Sequence, residues 1–305
     1  MWRLLPPGRL VDMKDGRVSQ TALKIARMML FFGQQPAYRT LIPPGLVEAN
    51  QALLAGAGLL KGWHHRLHAS RLFRSSVRLA DVLVGRGAMV HFPLRKRFVE
   101  DQVRGAIADG AEQLLVIGAG LDTLAPRIAA ASPTVLAVEV DHPSTGTAKA
   151  RGVVAAGMAR DNLVLVPVDL ATHPMSAALS QTPWRIAPSV MVAEGLLMYL
   201  PLQAVRGLLK ALHAHTAPGS RLVFTWLPES EDGGMKLDRV TRAVIAAVGE
   251  PVLFSMKPAE LGAFLQGLGW RLLPPVDLRA AYLSGGPLAT VAITDMERFS
   301  VAERV

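Results

Sequence analysis

Short apolar runs recur through the middle of the chain, each bounded by turn-forming or acidic residues. Five runs share this form and cover residues 114–117, 134–141, 162–170, 188–200 and 220–226. Runs of this length are typical of strands that are buried on both faces of a parallel sheet. The segments between them have the longer apolar period of helices, so the pattern predicts a doubly wound α/β fold.

The N-terminal third follows a helical period without predicted strands. Residues 19–32 repeat apolar side chains at helical spacing, with Ser19 or Thr21 as the capping residue. A second helix is predicted from the Pro43-Pro44-Gly45 break to about Leu60, and a basic amphipathic helix over residues 64–85. We therefore expect a helical region over residues 1–90 that precedes the sheet.

The C-terminal part supplies the remaining elements. A helix over residues 91–110 leads directly into the first strand, and a helical insertion is predicted at about 229–265. Two further strands are predicted at 269–276 and 287–294, which gives the sheet seven strands. We take residues 91–305 as one core region.

The glycine turn after the first strand is the first candidate for chemistry. Gly118 and Gly120 directly follow the apolar run, and Asp122 and Thr123 suit the start of a helix. A strand, a glycine turn and a helix start together form a cradle for nucleotide-type cofactors. The pattern therefore favours cofactor binding, although a purely structural turn stays open on this segment alone.

Carboxylates stand at the ends of the next three predicted strands. They are Glu139, Asp141, Asp169 and Glu194. An acidic residue about 20 positions after the glycine turn typically binds ribose hydroxyls. Because the carboxyl ends of parallel strands share one edge of the sheet, this succession strengthens the prediction of a cofactor site.

Four motifs then resemble one known family. GAGLDT at 118–123, EVDHP at 139–143, PVDL at 167–170 and AEGLLMYLP at 193–201 are similar to the leucine carboxyl methyltransferase family, in particular its bacterial small-molecule branch. The resemblance covers roughly residues 90–228. It implies S-adenosylmethionine as cofactor, a Rossmann-like seven-stranded sheet with a reversed last strand, and an N-terminal helical lid.

The resemblance also implies site roles. It places Gly118 and Gly120 at the methionine part, Asp141 at the ribose with Glu139 as a weaker candidate, and Glu194 at the amino group. The whole cofactor-binding set is Arg95, Gly118, Gly120, Asp122, Glu139, Asp141, Asp169, Leu170 and Glu194, with Asp169 and Leu170 beside adenine.

Arg95 is the best match for the arginine that holds the cofactor carboxylate, and Arg97 is the second. A guanidinium offers paired donors that suit a carboxylate. A surface ion pair with Glu100 or Asp101 stays open as the alternative.

Charge and composition narrow the class of partner. Residues 1–110 hold 17 Lys and Arg against 7 Asp and Glu, whereas the remaining residues hold 16 against 17. This excess attracts acidic ligands or an anionic membrane surface, but its few aromatics argue against nucleic acid. There is no cysteine, which excludes disulfides and thiolate chemistry but identifies no compartment. No apolar run near the N-terminus is long enough to span a bilayer and no signal-peptide pattern is present, and we expect a cytoplasmic enzyme. His64, His65 and His68 favour an exposed trio over a metal site.

The predicted function is an S-adenosylmethionine-dependent O-methyltransferase for a small, lipophilic acceptor, with carboxyl favoured over hydroxyl. An ionised carboxylate needs no general base, and His91 is the one weak candidate for a base. Four residues of the first helix could line the acceptor pocket or pack as core: Met28, Met29, Phe31 and Phe32. An NAD(P)-dependent oxidoreductase and a non-catalytic binding protein remain as alternatives, although Thr123 replaces the third glycine of a dinucleotide fingerprint.

Overall fold

The computed structural model describes residues 18–60, 88–170, 172–230 and 252–305. The predicted basic helix with its three histidines lies outside these ranges, as do the first 17 residues and residues 231–251 of the predicted insertion.

The centre of the molecule is a seven-stranded sheet. Its strands are β1 Gln113–Ile117, β2 Leu136–Asp141, β3 Leu163–Pro167, β4 Ser189–Ala193, β5 Arg221–Trp226, β6 Trp270–Leu272 and β7 Arg298–Arg304. The strands lie in the order β3-β2-β1-β4-β5-β7-β6. The first five are parallel, and β7 runs antiparallel to β5 and β6. The predicted fold class and its reversed last strand are therefore confirmed.

Eight α-helices accompany the sheet within the described ranges. They are α1 Gln20–Gly33, α2 Leu46–Gly56, α3 Ala88–Ala108, α4 Leu124–Ala131, α5 Pro143–Ala155, α6 Met175–Leu179, α7 Leu202–Ala214 and α8 Pro258–Gln266. Ser19 caps α1 by accepting a hydrogen bond from the Ala22 N–H, as its sequence predicted. None of the described helices is both long enough and apolar enough to cross a membrane.

The position predicted for the last strand is wrong. Residues 287–294 form no strand; Leu288, Val291 and Ile293 instead pack in a small apolar cluster against α3. Strand β7 begins at Arg298, opposite Trp226, and stays in register with β5 as far as Glu303. Only the later segment pairs with β5.

Strand β4 ends at Ala193, directly before Glu194, because Gly195 takes a positive φ of 61° and a 3₁₀ turn follows at Leu197–Tyr199. One predicted helix extends too far. Helix α2 ends at Gly56 rather than near Leu60. The end of β4 places Glu194 at the rim of the sheet.

Alternating side chains of each strand build a core on both faces of the sheet. Leu115 and Ile117 of β1 join one buried cluster, whereas Leu114 and Val116 join the other. Helix α3 packs in the second cluster through Phe98 and its neighbours. This packing directs the first turns of α3 to the carboxyl edge of the sheet, where ligands of such folds bind.

The N-terminal helices cover that edge. The Ser19 N–H donates to Thr145 Oγ1 of α5 at 3.0 Å, and Arg27 donates to the Leu59 carbonyl at 2.7 Å. A Cβ atom added to Gly120 would lie 3.1 Å from Ala22 Cβ of α1. Helix α1 therefore lies directly against the glycine turn.

Candidate functional site

The glycine turn connects β1 to α4 with two residues in the left-handed region. The φ angles are 64° at Gly118 and 53° at Gly120, which only glycine adopts without strain. The Gly118 N–H donates to the Val140 carbonyl at 2.8 Å, so the turn is tied to β2. A Cβ at Gly118 would come within 2.9 Å of the end of the Leu196 side chain, which would have to shift. The positive φ is therefore the main reason for glycine at this position.

Asp141 at the end of β2 is part of the same turn. One of its carboxylate oxygens accepts from the Gly120 N–H at 2.6 Å and the other from the His142 N–H at 2.7 Å. Burial raises the pKa of Asp141, and these two hydrogen bonds offset only part of that rise. Each oxygen keeps a second acceptor position, so hydroxyl groups could still bind there.

Glu139, the other acidic candidate in β2, has a different environment. It is 3% exposed, and its carboxylate lies 2.6 Å from the ammonium group of Lys149 on α5. Burial raises the pKa of Glu139 to about 7, although Lys149 acts in the opposite direction. Sequence reasoning missed Lys149, because nothing in the pattern of α5 marks one lysine as buried.

The first turns of α3 bring two adjacent cations to the carboxyl edge. The Arg95 Nε lies 2.8 Å from Glu194. Lys96 Nζ lies 2.6 Å from Asp122 and 2.7 Å from the same oxygen of Glu194. Asp122 also accepts from the N–H groups of Thr123 and Leu124, so it joins the cation to the start of α4.

Opposite charges dominate the ionisation of this cluster. Burial alone would lower the pKa of Arg95, but Glu297 and Glu194 outweigh it and the pKa is raised. Burial would likewise lower the pKa of Lys96, whereas Asp122 and Glu194 raise it. The Lys96 ammonium holds the pKa of Asp122 well below its usual range against the effect of burial. Arg95, Lys96 and Asp122 are therefore charged at neutral pH.

Glu297 completes the cluster and was not found from the sequence. It precedes β7 and lies at the carboxyl end of β5, since Arg298 pairs with Trp226. Its Oε2 lies 2.7 Å from Arg95 and 2.7 Å from His91 Nε2. Because the last strand was predicted at the wrong residues, the sequence did not place Glu297 at this edge. The spacing of His91 and Arg95 was the available signal, since residues four apart share a helix face.

The structure separates the two arginine candidates. Arg95 is 4% exposed and lies between two carboxylates of the site. Arg97 pairs with Asp101 at 2.9 Å, and its side chain is 32% exposed. The alternative of a surface ion pair, which the sequence had left open, therefore applies to Arg97. Arg95 instead lies at the predicted site.

The pair predicted beside adenine lies after β3 at the same edge. The Asp169 carbonyl accepts from the N–H groups of Thr172 and His173, which closes a tight turn. Leu170 packs against one of the two sheet cores. Both residues lie one strand beyond Asp141, and their place beside adenine stays a prediction.

The predicted acceptor residues lie in an apolar cluster next to the charges. Met29, Phe31 and Phe32 are buried there, and Met28 packs against them. Phe92 of α3 belongs to the rim of this cluster, and its ring centre lies 5.4 Å from the Arg95 guanidinium carbon. The apolar cluster and the charged cluster are therefore adjacent, and the turn of α3 from Phe92 to Arg95 joins them.

The donor set fits S-adenosylmethionine in sign and in chemical type. At the described edge the cations Arg95, Lys96 and Lys149 are outnumbered by carboxylates, which include Asp122, Glu139, Asp141, Asp169, Glu194 and Glu297. This cofactor has a net positive charge with one carboxylate, so an acidic edge that contains a guanidinium matches it. The glycine turn supplies backbone that a ligand can approach closely.

Comparison with known sequences identifies the family of the chain. The family model named leucine carboxyl methyltransferase matches residues 51–213. A candidate S-adenosyl-L-methionine-dependent methyltransferase of Frankia alni is 32% identical over 210 residues, which cover 66% of this chain and 69% of that protein. A second candidate of the same description from Mycolicibacterium smegmatis is 33% identical over 185 residues, 59% of this chain and 61% of its own length. The chain thus spans about two thirds of the length of these relatives.

A solved structure shares the fold. The crystal structure of a candidate methyltransferase from Thermobifida fusca matches with a TM-score of 0.56 at 19% identity, over 86% of this chain and 98% of that one. At this identity the likeness concerns the fold alone.

Proposed function

Because the chain belongs to the leucine carboxyl methyltransferase family and is an S-adenosylmethionine-dependent methyltransferase, we propose that it methylates an oxygen atom of a small, lipophilic acceptor. The oxidoreductase and non-catalytic alternatives lose their support with this membership. The observation that carries the proposal is the buried charge cluster at the carboxyl edge, next to the apolar cluster of α1.

The cluster supports a specific arrangement for the cofactor. Arg95 would hold the carboxylate, because its guanidinium offers paired donors, and Glu194 would hold the amino group. Asp141 would accept from the ribose hydroxyls with its free lone pairs. Glu139 is the weaker ribose candidate, since its carboxylate is already engaged by Lys149.

Asp122 and the remaining positions would complete the cradle. Asp122 holds Lys96 and the start of α4 in place beside the turn of Gly118 and Gly120. Asp169 and Leu170 would lie beside adenine, as the family resemblance implies.

The bound cofactor supplies an electrophilic methyl group on a cationic sulfur. The task of the protein is then to align an acceptor oxygen and to exclude water, and alignment can contribute roughly 7–11 kcal/mol. A carboxylate acceptor is already ionised at neutral pH, so it is the simplest substrate for this site. We therefore place carboxylic acids first and hydroxyl acceptors second.

The apolar cluster supports a lipophilic acceptor. Phe92 lies one turn of α3 before Arg95 and packs in the same apolar cluster as Met28, Met29, Phe31 and Phe32. The hydrocarbon part of an acceptor could therefore be buried against this cluster. The positive excess of residues 1–110 would attract an acidic acceptor from solution.

A methyl-transfer screen tests the proposal. Fatty, aromatic and small polar acids, the matching phenols and a peptide ending in leucine are incubated with methyl-labelled cofactor. We expect label to enter lipophilic acids in a form that mild alkali releases as methanol, because esters hydrolyse and ethers do not. The rate should fall with added salt if the charge field steers the acceptor. Label on nitrogen or carbon, or turnover confined to polar acids or the peptide, would contradict the proposal.

A further inference from the structure

A buried imidazole–carboxylate pair lies beside the proposed cofactor site. His91 is 4% exposed, and its Nε2 lies 2.7 Å from Oε2 of Glu297. The other ring nitrogen, Nδ1, is buried and has no hydrogen-bond partner within the described part of the chain. Such an orphaned nitrogen is costly in a folded protein unless a ligand uses it.

The protonation of the pair follows from its contacts. Burial alone would raise the pKa of Glu297, but Arg95 and the hydrogen bond from His91 hold it well below its usual range. The carboxylate is therefore an acceptor only, and the proton between the two groups belongs to Nε2 of His91. In the neutral ring, Nδ1 then carries the lone pair and is the basic atom.

The position of the pair is that of an acceptor rather than a cofactor group. Glu297 lies at the carboxyl end of β5 and directly before the start of β7, on the far side of Arg95 from the glycine turn. The His91 ring lies 4.9 Å from the Phe299 ring and 5.9 Å from that of Phe92, whose cluster includes the proposed acceptor wall. Within the described ranges, the charged groups recorded at the ring are Glu297 and, through it, Arg95.

We propose that His91 is a general base for hydroxyl acceptors and that Glu297 is its positioning residue. This inference rests on the proposed O-methylation and widens it from carboxylic acids to phenols. The O–H bond of the phenol breaks, its electron pair stays on oxygen, and a new N–H bond forms at Nδ1. The Nε2 proton stays with His91, and the Glu297 carboxylate stabilises the resulting imidazolium.

The first test measures proton transfer without turnover. The protein is saturated with S-adenosylhomocysteine and titrated with nitrophenols whose ionisation changes their colour. We expect bound phenolate below the pH at which each free phenol ionises, and loss of this signal in His91→Gln. Glutamine can still donate to Glu297 but cannot take up the proton. A signal that persists in His91→Gln would assign it to the field of Arg95, and wild-type protein that ionises none of the phenols would overturn the inference.

The second test compares two acceptors with one hydrocarbon frame, a phenol and the corresponding carboxylic acid. His91→Gln should lower kcat for the phenol about 100-fold or more and change the acid by less than about threefold. Glu297→Gln should lower the phenol rate less, and its pH profile should shift because the imidazolium loses its partner. His215→Gln at the end of α7 and Glu303→Gln on β7 are the controls, with thermal unfolding recorded for each variant.

The outcomes separate this inference from the proposed function. Equal losses on both acceptors would indicate a structural role for His91, and wild-type turnover of acids alone would refute the base while leaving O-methylation in place. Absence of turnover on every oxygen acceptor would overturn the proposed function, in which case the nitrophenol titration still decides whether His91 takes up a proton.

Discussion

Replacing Arg95 by lysine is the sharpest test of how the site binds its cofactor. The guanidinium reaches Glu194 through Nε at 2.8 Å and Glu297 through Nη1 at 2.7 Å. Lysine keeps the positive charge, but its single nitrogen cannot reproduce two donors directed at different groups. The variant therefore removes the fork while it keeps a cation between Glu194 and Glu297.

The size of the effect follows from the contact that is lost. A hydrogen bond to a charged group contributes about 1.5–3 kcal/mol, which corresponds to a loss of about 10- to 150-fold in affinity. We expect Arg95→Lys to raise the Kd for S-adenosylhomocysteine by this factor in calorimetry. Arg95→Ala should in addition lower thermal stability, because truncating one partner of a buried ion pair costs about 3–5 kcal/mol.

Arg97→Lys is the matched control two residues away. Its partner is Asp101 on the helix surface, so its loss should leave the Kd unchanged within about twofold. Unchanged affinity in Arg95→Lys, or equal losses in both variants, would refute the carboxylate role of Arg95. A well-folded Arg95→Lys with normal binding would move that role to the adjacent Lys96.

Three further variants test the turn and the buried carboxylates. Asp141→Asn should weaken S-adenosylhomocysteine binding about tenfold or more without unfolding the protein, because it loses a charged acceptor for the ribose; calorimetry against the exposed Asp161→Asn checks this. Gly120→Ala should lower the melting temperature and the cofactor affinity, since its φ is 53° and the new Cβ would lie 3.1 Å from α1. Gly157→Ala, at a φ of 66° with nothing within 4 Å, should show the strain without the loss of affinity. For Glu139, the folded-state pKa of about 7 exceeds the ordinary value of 4.5, so the folded state binds the extra proton between them and stability falls by up to about 3 kcal/mol as pH rises through that window. Glu139→Gln should flatten the dependence in urea unfolding at pH 5 and 7.5, and an unchanged slope would contradict the assignment.

The local pattern was sufficient for the strands that build the parallel part of the sheet. Continuous apolar runs such as 114–117 have a single stable position, buried on both faces, and the acidic residues that end them must then share one edge. The turn at Gly118 and Gly120 was likewise predictable from the sequence, because backbone in the left-handed region favours glycine at both positions. Ser19 was one of two residues predicted to cap α1, and its side-chain oxygen accepts the capping hydrogen bond.

The last strand could not be placed in the same way. Residues 287–294 contain Val291 and Ile293, and residues 298–304 contain Phe299 and Val301, all of which favour strands. The choice between the two segments depends on which one meets the free edge of β5. That edge is formed by a segment more than 70 residues earlier in the chain. A stretch of neighbouring residues therefore cannot show which segment pairs with β5. The error also concealed Glu297, whose significance depends on lying at the start of β7.

The sequence by itself determined the class of fold, the edge of the sheet that carries the acidic residues and most of the candidate carboxylates, because periodicity and turn chemistry act over a few residues. Only the tertiary structure decided how those charges combine. It brought Lys149 to Glu139, separated Arg95 from Arg97 and joined His91 to Glu297. Ion pairs of this kind depend on distances between elements that are remote in sequence and on burial that strengthens each contact, and neither is encoded by the spacing of residues along the chain.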